Sequence, residues 1–219
     1  MIFNELEVWF DPVPRAGPEA MAMDEWLLEN CEMPLLRIYD WDGDWGSLGY
    51  FAKLAEARAS MEGVSWVRRP TGGGVVDHRG DWTYSLVVPR GCVLAEMRGR
   101  ESYRLVHEIL MAVLKSEGGV PELSDGGDKP GGLCFENPVP FDLVDGNGRK
   151  LAGAAQRRGK KGLLHQGSVT PGSERRLRGE VFAEMLAESW SENEILVDET
   201  RVMQLVVERY GSQVWLERC

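Results

Sequence analysis

The sequence predicts an α+β fold, with mixed, mostly antiparallel sheets and flanking helices. Three observations carry this. Strand-like segments follow one another closely and are joined by polar or glycine-containing turns. Helical periodicity is confined to a few stretches that do not alternate regularly with strands, as a doubly wound parallel sheet would require. The 219 residues, 43% of them hydrophobic, suffice for one sizeable core, and no internal repeat or interdomain linker divides them. A single domain over 1–219 is expected.

Along the chain, PEAMAMDEWLLEN (18–30) opens on proline and repeats Ala20, Met23, Trp26 and Leu27 at helical spacing, so it reads as an amphipathic helix. LLRIYDWDGDWGSLGYF reads as a strand, a polar turn and a second extended piece. A strand from Ser65 to Arg69 runs into Gly72-Gly73-Gly74, and Trp82 to Val88 alternates well enough to be its antiparallel partner. From Arg100, Leu105, Ile109, Val113 and Leu114 recur at three and four, marking the clearest helix, on which His107 is expected at the surface or as a cap. SDGGDKPGG (124–132) lacks periodicity and apolar content and should be a mobile loop, with Cys134 just after it. FDLVDGNGRKLAGAAQ forms a hairpin: a strand, a turn at Asp145-Gly146-Asn147-Gly148, and a returning strand carrying Lys150. LLHQGSV is one more strand, and helices at 179–190 and about 198–210 close the chain.

Composition narrows the function. The net charge of −10 argues against a nucleic-acid binder, because phosphate neutralisation needs a basic surface. Two local basic clusters stand out, Arg157, Arg158, Lys160 and Lys161, and Arg175, Arg176 and Arg178; each reads as a solvated face or as a docking surface. No window approaches 18 apolar residues, and the start carries acids where a signal peptide would carry basic residues. No membrane association is expected, and the cytoplasm is the expected location. Four cysteines without CxxC spacing and three scattered histidines predict no metal site and reduced thiols.

Two nucleotide signatures fail. Gly72-Gly73-Gly74-Val75-Val76-Asp77 does not fit G-x-G-x-x-G, and Gly153-AAQRR-Gly159-Lys160-Lys161 has one residue too many for a P-loop and lacks its Ser or Thr. What remains is a pair of candidate elements. Backbone N–H groups of the three glycines, with Arg68 and Arg69 beside them, suit a carbonyl or carboxylate; a plain hairpin end fits the same pattern. Lys150, followed by the small residues Ala152, Gly153, Ala154 and Ala155, suits an oxyanion that approaches the backbone; an exposed strand lysine fits it equally.

RRPTGGGVVDHRGDWTYSL resembles the signature of the lipoate-protein ligase and octanoyltransferase family, within the biotin and lipoate protein ligase superfamily. AMAMDEWLL, LLRIYDWDGDWGSLGYF and RKLAGAAQRRGKKGLLHQGSV agree with it in order, so the likeness spans roughly residues 20–170. The resemblance implies that family's α+β catalytic domain, with no accessory domain in the fifty or so residues after the motifs. It also implies a medium-chain acyl group, octanoate or lipoate, gripped between the glycine loop and the Lys150 strand. A hydrocarbon tail gains about 0.8 kcal/mol per buried methylene. Substrate contacts are implied for Arg68, Arg69, Thr71, Gly72, Gly73, Gly74 and His78 in the first motif, and for Gly153, Ala154, Ala155, His165 and Gly167 in the last.

LCFENPVPFDLV resembles the nucleophile segment of cysteine-dependent octanoyltransferases. On that likeness the Cys134 thiolate attacks the thioester of octanoyl-acyl carrier protein, Lys150 stabilises the oxyanion, no cofactor is needed, and a lysine of a lipoyl-domain protein receives the acyl group. The alternative is a ligase that joins free lipoate to the same acceptor through lipoyl-adenylate, using ATP and Mg²⁺. A non-catalytic module that binds an acyl group or a lipoyl domain is the third reading. The chain departs from the family pattern at three points: His165-Gln166 stands where Gln-His is usual, Ala52 where Gln is usual, and Val75 where Ala is usual.

Overall fold

The computed structural model describes residues 1–126, 138–172 and 174–218. In order these form β1 (Phe3–Phe10), α1 (Gly17–Asn30), β2 (Leu35–Tyr39), β3 (Trp45–Leu48), α2 (Leu54–Ser60), β4 (Ser65–Arg68), β5 (Val75–Asp77) and β6 (Trp82–Pro89). There follow α3 (Val93–Glu96), α4 (Gly99–Ser116), β7 (Glu122–Leu123), β8 (Leu143–Val144), β9 (Lys150–Arg158), β10 (Gly162–Val169), α5 (Arg175–Leu186) and β11 (Ala187–Glu192). Last come α6 (Glu199–Leu205), which continues into a π-helical turn (Val206–Tyr210), and α7 (Gln213–Glu217).

Eight strands make one sheet in the order β11-β1-β2-β6-β10-β9-β8-β7, and β4-β3-β5 make a small second sheet. Pairing is parallel only at β11–β1 and β1–β2 in the large sheet and at β3–β4 in the small one. The fold is therefore α+β and mostly antiparallel, as expected. The hairpin that delivers Lys150 is also present, with β8 and β9 antiparallel around Asp145–Gly148.

Strand alternation sorts the large sheet into two faces. Leu36, Ile38, Tyr84 and Leu86 pack with Val106, Leu110, Phe182 and Leu186 of α4 and α5. Leu35, Tyr39, Val87 and Leu164 pack with Met23 and Leu27 of α1 and Val202 and Leu205 of α6. Helix α1 is not amphipathic in the expected sense, for it is buried nearly all round, Asp24 and Glu25 included. Asp24 receives hydrogen bonds from Arg37 (2.7 Å), Ser85 (2.6 Å) and Gln166 (2.7 Å), so its charge is spent inside the protein.

Three sequence expectations are corrected. β6 does not pair with β4; it lies between β2 and β10, buried on both faces, while β4 joins the small sheet. The helix expected over 179–190 ends at Leu186, and 187–192 turn extended to pair with β1. The Arg175, Arg176 and Arg178 cluster is not a free basic surface: its members bind Asp40 (2.9 Å), Glu180 (2.9 Å) and Glu192, and Glu117 (2.6 Å) respectively. Among the described residues, no helix is long and apolar enough to cross a membrane.

Candidate functional site

Between β4 and β5 the glycine loop is held by its carbonyl groups. The buried Arg69 guanidinium donates to Gly72 O (3.1 Å), Gly74 O (3.0 Å), Ser47 O (3.1 Å) and Ser47 Oγ (2.7 Å). Burial lowers Arg69 to about 10, which still leaves it a cation at neutral pH. Gly49 N donates to Gly74 O (3.0 Å) and Tyr50 N to Thr71 O (2.8 Å). With the Thr71, Gly72 and Gly74 carbonyls tied back, the N–H groups of Gly72, Gly73 and Gly74 have no acceptor among the described residues. Gly73 takes φ +83°, a conformation that glycine adopts without steric cost. Gly49 is needed for a different reason: a Cβ there would stand 2.6 Å from Gly72 O and closer still to Gly73 O.

Facing this loop, Lys150 lies over Gly153, where an added Cβ would fall on its Cε and Nζ. Its ammonium reaches Asp142 at 2.8 Å, with Asp142 fully buried and the lysine side chain 21% exposed. Asp142 also receives Tyr103 OH (2.5 Å) and Val139 N (2.9 Å), and Tyr103 OH receives Ala154 N (3.0 Å). Burial, then the Asp142 charge, pushes the Tyr103 phenol well up, so it stays a donor. Phe141, at φ +73°, turns the chain just before Asp142, and His107 Nδ1 holds its carbonyl at 2.6 Å. His107 is therefore no surface or cap residue. It is fully buried, with burial lowering it to about 4 and its Nε2 without a partner among the described residues.

Between the two elements lies a cavity of about 100 Å³. Sheet register lays Gly153, Ser168, Thr83 and Tyr39 in one lateral row beneath it. Gly73, Gly74, Val75 and Val76 cover it, and Trp41 and His78 line its far side. His78 is fixed by Ser47 Oγ (2.6 Å) and Asp81 (2.8 Å), and Asp81 also receives Thr83 (3.0 Å) and Ser168 (2.6 Å). These polar groups satisfy one another, so they make no demand on an apolar occupant.

Of the residues singled out in the sequence, Arg69, Gly73, Gly74, His78, Lys150, Gly153, Ala154, Ala155 and Gly167 line this cavity. Thr71 does not line it, but its hydroxyl fixes Gln166 (2.7 Å), which does. Gly72 lies outside the lining, and a Cβ there would meet nothing. Arg68 is corrected: it points the other way, donating to Trp215 O, Leu216 O, Gly49 O and Ala52 O, and so anchors α7. His165 is corrected as well. Strand alternation turns it to the α4 face of β10, where it meets Tyr84 OH (3.1 Å) and Gln156 (2.9 Å). Gln166 takes the inward position, bound to Thr71 and Asp24.

Cys134, and most of the loop expected at 124–132, lie outside the described residues. Of the described cysteines, Cys31 is pushed up to about 12, mainly by burial, and Cys92 is raised by burial too; neither is an activated thiol. Sequence reading passed over Asp142, Tyr103, Trp41 and Gly49. Trp41 and Gly49 lie in the quoted stretch LLRIYDWDGDWGSLGYF, and Asp142 is an acid eight positions before the lysine, just ahead of β8; Tyr103 had no such signal.

Residues 17–206 match the lipoyl protein ligase A/B catalytic domain. The chain belongs to that family. Octanoyltransferase LipM of Carboxydothermus hydrogenoformans is 37% identical over 182 residues, covering 75% of this chain and 65% of the relative. The LipM of Staphylococcus aureus is 34% identical over 166 residues, covering 68% and 60%. The chain thus spans roughly three fifths to two thirds of the curated relatives it matches. Two solved structures share the fold. A putative lipoate protein ligase from T. acidophilum with bound lipoic acid has TM-score 0.76 at 20% identity, covering 100% of both chains. Lipoate-protein ligase A bound with ATP has TM-score 0.70 at 19% identity, covering 99% of both.

Proposed function

We propose that this protein transfers an octanoyl or lipoyl group from an acyl carrier protein thioester to a lysine of a lipoyl-domain protein, through a thioester on Cys134. The observation that carries the reading is the placement of Lys150, over Gly153, against a loop whose N–H groups lack acceptors among the described residues, with an apolar-covered cavity between them. An acyl carbonyl at that mouth meets a cation and backbone donors. Such donors contribute about 3 to 4 kcal/mol each when charge develops on the oxygen. Val139, five positions after Cys134, lines the same cavity.

In the first half-reaction the Cys134 thiolate adds to the donor carbonyl, and collapse of the tetrahedral oxyanion expels the carrier thiolate. In the second, the neutral acceptor amine adds to the new thioester, loses its proton to solvent or a base, and expels Cys134 as thiolate. A thiol of pKa ~8.5 is only a few per cent ionised near neutrality, and the Lys150 cation is suited to favour the thiolate. The location that goes with this reading is the cytoplasm.

Intact-mass spectrometry after incubation with octanoyl-acyl carrier protein tests this. The expected result is a hydroxylamine-sensitive adduct of one octanoyl group, formed without ATP and absent from Cys134→Ser. An adduct that survives in Cys134→Ser, or lipoate-dependent pyrophosphate exchange with no adduct, refutes it and favours adenylate chemistry.

A further inference from the structure

We propose that Trp41 is the end wall of the acyl cavity and sets the length of acyl chain the protein accepts; this rests on the acyltransfer reading above. Trp41, His78 and Tyr39 line the acyl cavity on one side and, on the other, a second and larger cavity of about 390 Å³ that also touches Asp40, Asp44, Arg79 and Asp81. The two spaces therefore share a partition one aromatic layer thick. The first is covered by glycine and valine; the second is bordered by charged residues.

The partition is fixed in place. The Trp41 indole stacks on the His78 ring at 4.0 Å and 24° and leans on Tyr39 at 5.6 Å. Its Nε1–H donates to Thr83 Oγ1 at 2.9 Å, and Thr83 donates in turn to Asp81 at 3.0 Å. His78 is gripped from both ring nitrogens. Neither ring turns aside without breaking several of these contacts.

Its position gives a length. Gly153, beneath Lys150, is two strands from Thr83 through Ser168 in the lateral row of the sheet. At ~4.8 Å per strand that is about 10 Å. An extended octanoyl group has seven carbon–carbon bonds, and at ~1.5 Å and ~111° these project to about 9 Å. A dodecanoyl group projects to about 14 Å on the same geometry and would run into the indole. Hydrophobic pockets discriminate one methylene by roughly tenfold or more. A fixed wall at this depth is what converts a general apolar slot into one that prefers eight carbons.

The test compares octanoyl-, decanoyl- and dodecanoyl-carrier protein as donors for wild type, Trp41→Ala and Trp41→Phe, with single-turnover rates as the readout. Wild type should transfer octanoyl at least tenfold faster than dodecanoyl. Trp41→Ala should raise the dodecanoyl-to-octanoyl ratio at least tenfold, by joining the two cavities, and Trp41→Phe should restore the octanoyl preference. The shift in Tm produced by free C6 to C14 fatty acids gives the same ranking without turnover, and Trp41→Leu serves if the alanine variant does not fold. A Trp41→Ala protein that slows all lengths alike, with the ratio unchanged, overturns the proposal. Wild type that transfers no acyl group of any length overturns the acyltransfer reading instead, and the length proposal with it.

Discussion

Gly153→Ala isolates the Lys150 contribution without altering the lysine. The added methyl falls on Lys150 Cε and Nζ and stands 3.1 Å from Asp142 Oδ1. The obstacle is the free end of a flexible side chain, so the lysine swings away rather than the strand moving. Asp142 keeps Tyr103 OH and Val139 N as donors. Gly153 has no positive φ, so alanine fits the strand and gains about 0.4 to 1 kcal/mol from a less flexible unfolded chain. That gain offsets part of the lost ion pair, and Tm should change by only a few degrees. The rate should respond far more, because removing one oxyanion donor costs about 10² to 10³ in turnover. The assay is single-turnover acylation by octanoyl-carrier protein beside a thermal melt, for Gly153→Ala, Lys150→Ala and the double variant. If both substitutions remove the same ammonium, the double variant is no slower than Lys150→Ala alone. Activity of Gly153→Ala within threefold of wild type refutes the reasoning. A double variant tenfold slower than Lys150→Ala shows that the methyl obstructs the cavity itself.

Gly49→Ala should destabilise the protein by about 2 kcal/mol and abolish transfer, because the new Cβ meets backbone oxygens of the glycine loop that cannot yield; denaturant titration measures it. His107 is held near 4 against an ordinary 6.5, so the unfolded chain takes up its proton first. Its contribution is complete above pH 6.5 and is lost as pH falls towards 4, a change of about 3 kcal/mol; His107→Gln should flatten unfolding free energy across that window. His165, lowered well below its usual range by burial, acts in the same direction. Glutamine at Arg157, Lys160 and Lys161, exposed at the β9–β10 turn and without a carboxylate partner among the described residues, should slow transfer and weaken its salt dependence. The same change at Arg175, Arg176 and Arg178 should lower stability instead, because those cations already hold Asp40, Glu180, Glu192 and Glu117.

What the sequence made legible was local. A turn of Asp145-Gly146-Asn147-Gly148 between apolar runs dictates the Lys150 hairpin, and Leu105, Ile109, Val113 and Leu114 at helical spacing dictate α4. What escaped it depends on distant partners. Strand β6 looks like a half-buried hairpin strand, yet Thr83 and Ser85 face a cavity and a buried carboxylate rather than water. His107 falls on an ordinary helix, and its burial comes from distant partners, the turn at Phe141 and the His165 ring on β10. Arg68 and Arg69 are neighbours of one type with opposite duties, because successive strand side chains point to opposite sides; one holds α7 and the other the glycine loop. Trp41 lies within LLRIYDWDGDWGSLGYF, but nothing in that stretch singles it out, since its position depends on the stack with His78 from a distant segment.

The most direct test of the central claim is a crystal structure of the protein grown with octanoic acid, whose carboxylate stands in for the acyl carbonyl and its oxyanion. The expected result places one carboxylate oxygen within hydrogen-bond distance of Lys150 Nζ and of a Gly73 or Gly74 N–H, with the tail running over Ser168 and Thr83 to end at Trp41. A fatty acid bound elsewhere, or with its carboxylate at the Trp41 end and its methyl beside Lys150, contradicts the account.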